Sequence, residues 1–344
     1  MKTPPNPDTY ARLSEGVRLS RHPSIKNPDF IPEEKRTDET TEEQKREMLS
    51  PSIQVRADSL GDLVRFLQSE AGKAKGAFER NPSSRKCISN PREARDWDLG
   101  AGWQGAIDLA EKGWADGRKK MSSALASLAG EFVLSPPPES DVAGGVLCCP
   151  SFIAGDPCHF DADADTPDGG KSKIVRLIVP LSASANVSAS ALCNRGAAIA
   201  SVIDALESAG HSVEVETHSV HQDLYQGERQ QTVIRHIVKQ AGAQLSLDRL
   251  AVSIAHPATF RRLHFAGVES IGGLTDPVQV DELRSGYGSP RPDRRQDLNP
   301  PGSFELPIIN EAEGGESAFE TPESARVEIA RQLSALGFTV SFSA

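Results

Sequence analysis

The stretch from Lys173 to Gln240 constrains the fold most, because it reads as strand, loop, helix, strand, turn, strand. Ile174-Val175-Arg176-Leu177-Ile178-Val179 is dense in β-branched side chains, as expected of a strand inside a parallel sheet. A loop of small polar residues follows, Ser182 to Ser188, and then a helix with Leu192, Ile199, Ile203 and Leu206 on one face. Gly210 stands where a helix closes in the left-handed region. His211 to Glu216 alternates polar and apolar residues, which predicts a second strand joined to the first by a right-handed crossover. A polar turn centred on Asp223 to Arg229 leads from it to Thr232–Val238, a connection long enough only for an antiparallel hairpin return.

Composition narrows the classes open to such a chain. With 344 residues, 38% hydrophobic and 25% charged, it can bury a substantial core. A net charge of -10 disfavours a protein whose main task is gripping a nucleic-acid backbone. The expected location is the cytoplasm, since the N-terminal residues lack the apolar run of a signal peptide and no window is apolar enough to span a membrane. Five cysteines are too few and too scattered for a disulfide framework.

Residues 1–51 are polar, charged and proline-bearing, and read as a disordered tail. Residues 52–140 read as a helical N-terminal region that opens with a short strand at Ile53 and Val55. Ser59 and Asp62 open a helix carrying Leu60, Leu63, Val64 and Leu67, and residues 121–133 are expected to be helical too. Trp103 and Trp114 flank another helix; they could form a stacking platform, but anchoring to the core is the expected role. Residues 141–344 form the expected α/β domain. Within it, residues 271–300 read as a surface loop. Thr321 and Pro322 cap a final helix, and residues 338–342 a last strand.

Two resemblances add to this reading. The phrase from Trp103 to Trp114, the passages Asp141–Gly145 and Ala154–Pro157, and Asn194-Arg195-Gly196-Ala197 together resemble a family of tailed-bacteriophage and prophage proteins without an assigned activity. That likeness covers roughly residues 53 to 270 and implies a phage or prophage origin, and with it a host-cell cytoplasmic setting. The element order, with a hairpin between the second and third strands, resembles the von Willebrand factor A fold. It implies a Rossmann-like, mostly parallel sheet with one antiparallel strand. That family holds a divalent ion through an Asp-x-Ser-x-Ser loop after the first strand. Here Pro180 replaces the aspartate while Ser182 and Ser184 match, so the resemblance implies a degenerate ion site.

Two clusters are candidates for chemistry. Ser182, Ser184 and Asn186 lie beyond the carboxyl end of a central strand, where open α/β sheets place ligands. Asp161, Asp163 and Asp165 alternate beside His159 and could gather Mg²⁺ or Ca²⁺, although the EF-hand pattern fails at Thr166; a solvated linker explains them as well. His218, His221 and Asp223 end the second strand and could join a site. Arg261, Arg262 and His264 read as a small basic face on a helix. Neither a phosphate loop, a G-x-S-x-G elbow nor zinc-ribbon spacing occurs. The expected function is therefore a non-enzymatic binding or scaffold module with a protein partner, no membrane, and no cofactor beyond weak Mg²⁺ or Ca²⁺. The alternative is a divalent-metal enzyme, a hydrolase or nucleotidyl transferase, built on Asp161, Asp163 and Asp165.

Overall fold

The structure is a computed structural model describing residues 11–22, 25–26, 48–49, 52–70, 72, 97–128, 132–135, 140–141, 146–147, 153, 160–161, 174–184, 187–225, 228–275, 293, 299–300, 302–312 and 315–342. Its strands longer than two residues are β1 (Ala11–Ser14), β2 (Val17–His22), β3 (Ser52–Ala57), β4 (Phe132–Ser135), β5 (Ile174–Pro180), β6 (Ser212–Tyr225), β7 (Glu228–Lys239), β8 (Ser303–Glu305) and β9 (Thr339–Phe342). The helices are α1 (Leu60–Gln68), α2 (Gly102–Lys112), α3 (Ala115–Leu128), α4 (Ala189–Ser208), α5 (Leu247–Leu250, continued by a π-helical turn to Ala255), α6 (Phe265–Thr275, preceded by a π-helical turn from Thr259) and α7 (Pro322–Ala335).

Seven strands form one mixed sheet in the order β1-β2-β3-β7-β6-β5-β8. The expected strand–helix–strand unit is present: β5 pairs parallel with β6 from Ile174↔Ser212 to Pro180↔His218, across α4. The expected hairpin returns through β7, antiparallel to β6. β8 adds a parallel strand beside β5. On the far side β3 pairs parallel with β7, and β2 and β1 then add two further antiparallel pairs. So the sheet has more than the one antiparallel strand expected.

Three sequence expectations need correction. Residues 11–22 fall in the expected tail yet form the β1–β2 hairpin, turned at Gly16 with φ +72°, and Val17 and Leu19 are buried in a core cluster. Their alternation was masked by the arginines and serine between them. The short strand expected at Ile53 and Val55 is present as β3, but it lies inside the main sheet and not in a separate helical region, so the sheet draws on both sides of residue 140. Residues 132–135, expected to end a helix, are a strand; β4 pairs with β9 in a separate two-stranded sheet, so β9 does not extend the main one.

The two faces of the sheet differ because side chains alternate along each strand. On one face Val175, Leu177, Val179, Val213 and Val215 pack with Leu192, Ile199, Ile203 and Leu206 of α4. A second cluster joins Val17, Leu19, Ile53, Val55 and Ile234 to Leu63, Phe66 and Leu67 of α1. Gly196 of α4 permits close packing, since a Cβ there would lie 3.1 Å from Met121 and 3.3 Å from Ile254. The opposite face is polar, carrying Ser52, Gln54, Glu216, His218, Gln231 and Arg235, all buried.

Trp103 and Trp114 are half-buried and pack against the cores, which supports anchoring. Trp114 touches both clusters and meets His256 edge to face at 4.6 Å. Trp114→Ala is expected to cost about 1.5–2.5 kcal/mol, half the loss at a fully buried aromatic. Urea unfolding checks this, and an unchanged midpoint would remove Trp114 from the core.

Candidate functional site

A cleft of about 510 Å³ opens beyond the carboxyl ends of the parallel neighbours β3 and β7. It is built by the first turn of α1, the last turn of α2 and the start of α5. Ser59 caps α1 by accepting from the Asp62 amide at 3.1 Å, and Ser246 caps α5 by accepting from the Arg249 amide at 3.4 Å. These bonds commit both hydroxyls to local structure. Amides of Leu60 and Gly61, at the first two helical positions, have no partner within their helix and stand at its positive end. Arg65, Lys112 and Arg249 bring positive charge, and Glu111 and Asp248 bring negative. Asp248 is paired with Arg118 at 3.4 Å, and Arg65 with Asp62. Among the described residues neither histidine nor cysteine lines the cleft.

The sequence-expected loop lies elsewhere. Leu181 continues the β5 ladder by donating to the His218 carbonyl at 2.7 Å. Ser182 is buried and its hydroxyl makes no hydrogen bond among the described residues. Ser184 is tied down on three sides: its amide donates to Asn310 Oδ1 at 3.0 Å, its hydroxyl accepts from Asn310 Nδ2 at 3.1 Å, and its carbonyl accepts from Arg261 at 2.8 Å. Arg195 clamps the loop base, donating to the carbonyls of Pro180 and Pro307 at 2.9 Å each; burial lowers its pKa to about 10. Asn186 lies outside the described residues, as do Asp163 and Asp165. Asp161 belongs to a two-residue strand, Phe160–Asp161.

The expected basic face is not on the surface. Arg261, Arg262 and His264 are all buried. Arg262 Nε donates to Asp98 Oδ2 at 2.6 Å, and Asp98 also accepts from the amides of Gly100 and Gly102, which ties the start of α2 to the π-helical turn. Arg261 donates to the Trp97 carbonyl at 2.6 Å. Here both arginines act as internal struts.

His218 and His221 are three residues apart on an extended strand and therefore point to opposite faces. His221 joins a buried chain on the helical side. Ser219 Oγ lies 3.2 Å from His221 Nε2 and 2.7 Å from His264 Nδ1; His264 Nε2 lies 3.0 Å from His236 Nδ1; Thr217 Oγ1 lies 3.0 Å from His236 Nδ1. Burial drives the pKa of His221 and of His236 to about 3, and lowers that of His264 well below its usual value, helped by the neighbouring histidines. His218 faces the polar side with Glu216 and Arg235. Arg235 donates to Glu216 at 3.2 Å, to Asp293 at 2.7 Å and to Asn299 at 2.7 Å. No sequence spacing pointed to Asp293 or Glu305, which the fold alone brings to His218.

A mixed seven-stranded sheet carrying its helices, with a polar cleft beyond two parallel strand ends, defines an α/β protein. The chain belongs to the DUF7192 family, a domain of unknown function whose profile matches residues 36–338. No curated protein and no solved structure matches the chain. Among the described residues no helix is long and apolar enough to cross a membrane.

Proposed function

We propose that this protein is a non-enzymatic binding module whose cleft between α1, α2 and α5 takes a small polar ligand with an anionic group such as phosphate. The observation that carries this reading is the cleft's chemistry: its volume falls in the range of small-molecule sites, and it sets the open amides of a helix start beside cationic side chains, while Ser59 and Ser246 are committed to capping their helices. Amides at the start of α1 and the guanidinium groups of Arg65 and Arg249 suit an anion. Glu111 and Asp248 would accept from hydroxyl or amino groups elsewhere on the ligand. The strand order β7-β6-β5-β8, with its hairpin at the outer pair, supports a von Willebrand A-like core for the module. The rest of the sheet departs from that likeness. A phage origin belongs to this proposal on the strength of the Trp103–Trp114 phrase, the Asp141–Gly145 and Ala154–Pro157 passages and Asn194–Ala197, and a cytoplasmic setting on the lack of an apolar run at the N-terminal residues. A protein partner would present its own anionic group to the same cleft.

Calorimetric titration of the full chain with inorganic pyrophosphate tests the reading. Saturable binding that weakens with salt is expected, and Arg249→Glu or Arg65→Glu should each lower affinity about tenfold or more, the size of one lost charge-assisted hydrogen bond. Equal affinity in both variants would exclude the cleft.

A further inference from the structure

We infer that His218, Asp293 and Glu305 bind one divalent transition-metal ion on the polar face of the sheet, outside the cleft. The strands set two of the three ligands. His218 of β6 stands opposite Pro180, and Glu305 of β8 opposite Ile178, so both flank the last turnless residues of β5. Asp293 reaches the same point from outside the sheet. One ligating atom from each side chain lies within 4.8 Å of the other two.

His218 is the observation that points to a ligand. Its ring is fully buried, and neither nitrogen makes a hydrogen bond among the described residues. Nε2 lies 3.3 Å from Glu305 Oε1, and Nδ1 lies 3.9 Å from Asp293 Oδ2. Ligands about 2.0–2.2 Å from a tetrahedral ion sit roughly 3.3–3.5 Å apart, so the first separation matches an edge of such a site. The other buried histidines give the contrast: His221, His236 and His264 have ring nitrogens engaged by hydroxyls and by one another, and His256 Nδ1 accepts from the Ala258 amide.

The carboxylates are also held in place. Gln231 and Arg235 both donate to Asp293, and Asn299 Nδ2 donates to Glu305 Oε2 at 2.9 Å, leaving Oε1 toward His218. Such outer partners orient metal ligands. Around the histidine, the carboxylates of Glu216, Asp293 and Glu305 outnumber the guanidinium groups of Arg56 and Arg235 among the described residues. One imidazole with two carboxylates favours Zn²⁺ over Mn²⁺, and both over Mg²⁺.

The test uses the full chain, stripped with a chelator and then titrated with Zn²⁺, Mn²⁺ and Mg²⁺. One zinc per chain is expected after gel filtration, with a raised melting temperature and affinity falling in that order. Glu305→Gln and Asp293→Asn should each weaken zinc at least about tenfold, while Asp161→Asn leaves it unchanged. Zinc binding unaffected by the first two substitutions would overturn the assignment. A crystal of the unaltered protein soaked in zinc decides independently of whether the variants fold. An anomalous peak beside the His218 ring is expected; its absence there overturns the site.

Discussion

Lowering the pH from 7 to 5 is expected to remove about 6 kcal/mol of folding stability, an amount comparable with the whole stability of many domains. Burial holds the native pKa of His221 and His236 near 3 and that of His256 near 4, where the Asp98 charge opposes the shift only in part. Each is neutral in the folded protein at pH 5, whereas an unfolded chain takes up protons below about 6.5. The unfolded state then binds more protons, so stability falls as pH falls. The contribution is complete above about 6.5 and is lost progressively down to the native values. One and a half pH units at 1.36 kcal/mol each give about 2 kcal/mol per histidine. His264 shifts in the same direction and adds to the loss. The surroundings explain why the native ring stays neutral: His221 lies against Phe260 and Phe265, and His256 against Trp114. Urea unfolding at pH 7, 6 and 5 measures the slope, and a flat profile would mean these rings are hydrated.

Arg235→Met should cost about 3–5 kcal/mol, because it removes the cation from a buried network and leaves its carboxylates behind. Arg235 is 2% exposed, and it bridges Glu216 on its own sheet to Asp293 and Asn299 outside it. Arg56 would still neutralise Glu216 at 2.7 Å, so the loss falls chiefly on Asp293. Adding Asp293→Leu should therefore recover more than half of the deficit, a coupling that a double-mutant cycle reads directly. A single-variant cost below about 1 kcal/mol would show that solvent reaches the network and replaces the guanidinium.

Elements with strong local periodicity were legible from sequence. β5, α4 and the β6–β7 hairpin emerged from β-branched density, a four-residue leucine–isoleucine stripe and alternation, and α7 from Thr321 and Pro322 at its start. The capping box found there closes with Ser324. The β1–β2 hairpin was hidden because arginines and serines dominate a short segment in which Leu13, Val17 and Leu19 are the apolar residues that reach the core. Arg261 and Arg262 misled for the opposite reason. Charge suggested a surface, but the π-helical turn places both inside, where a carbonyl and Asp98 receive them. The cleft and the His218 cluster arise from strand register between segments far apart in the chain, and no local spacing encodes such proximity.

The central claim, that the cleft is the binding site, is tested most directly by a crystal structure of the full chain grown with inorganic pyrophosphate. The anion is expected between the first turns of α1 and α5, contacted by Arg65, Arg249 and the amides of Leu60 and Gly61. Pyrophosphate bound instead at the Ser182–Ser184 loop, with the cleft holding only solvent, would contradict it.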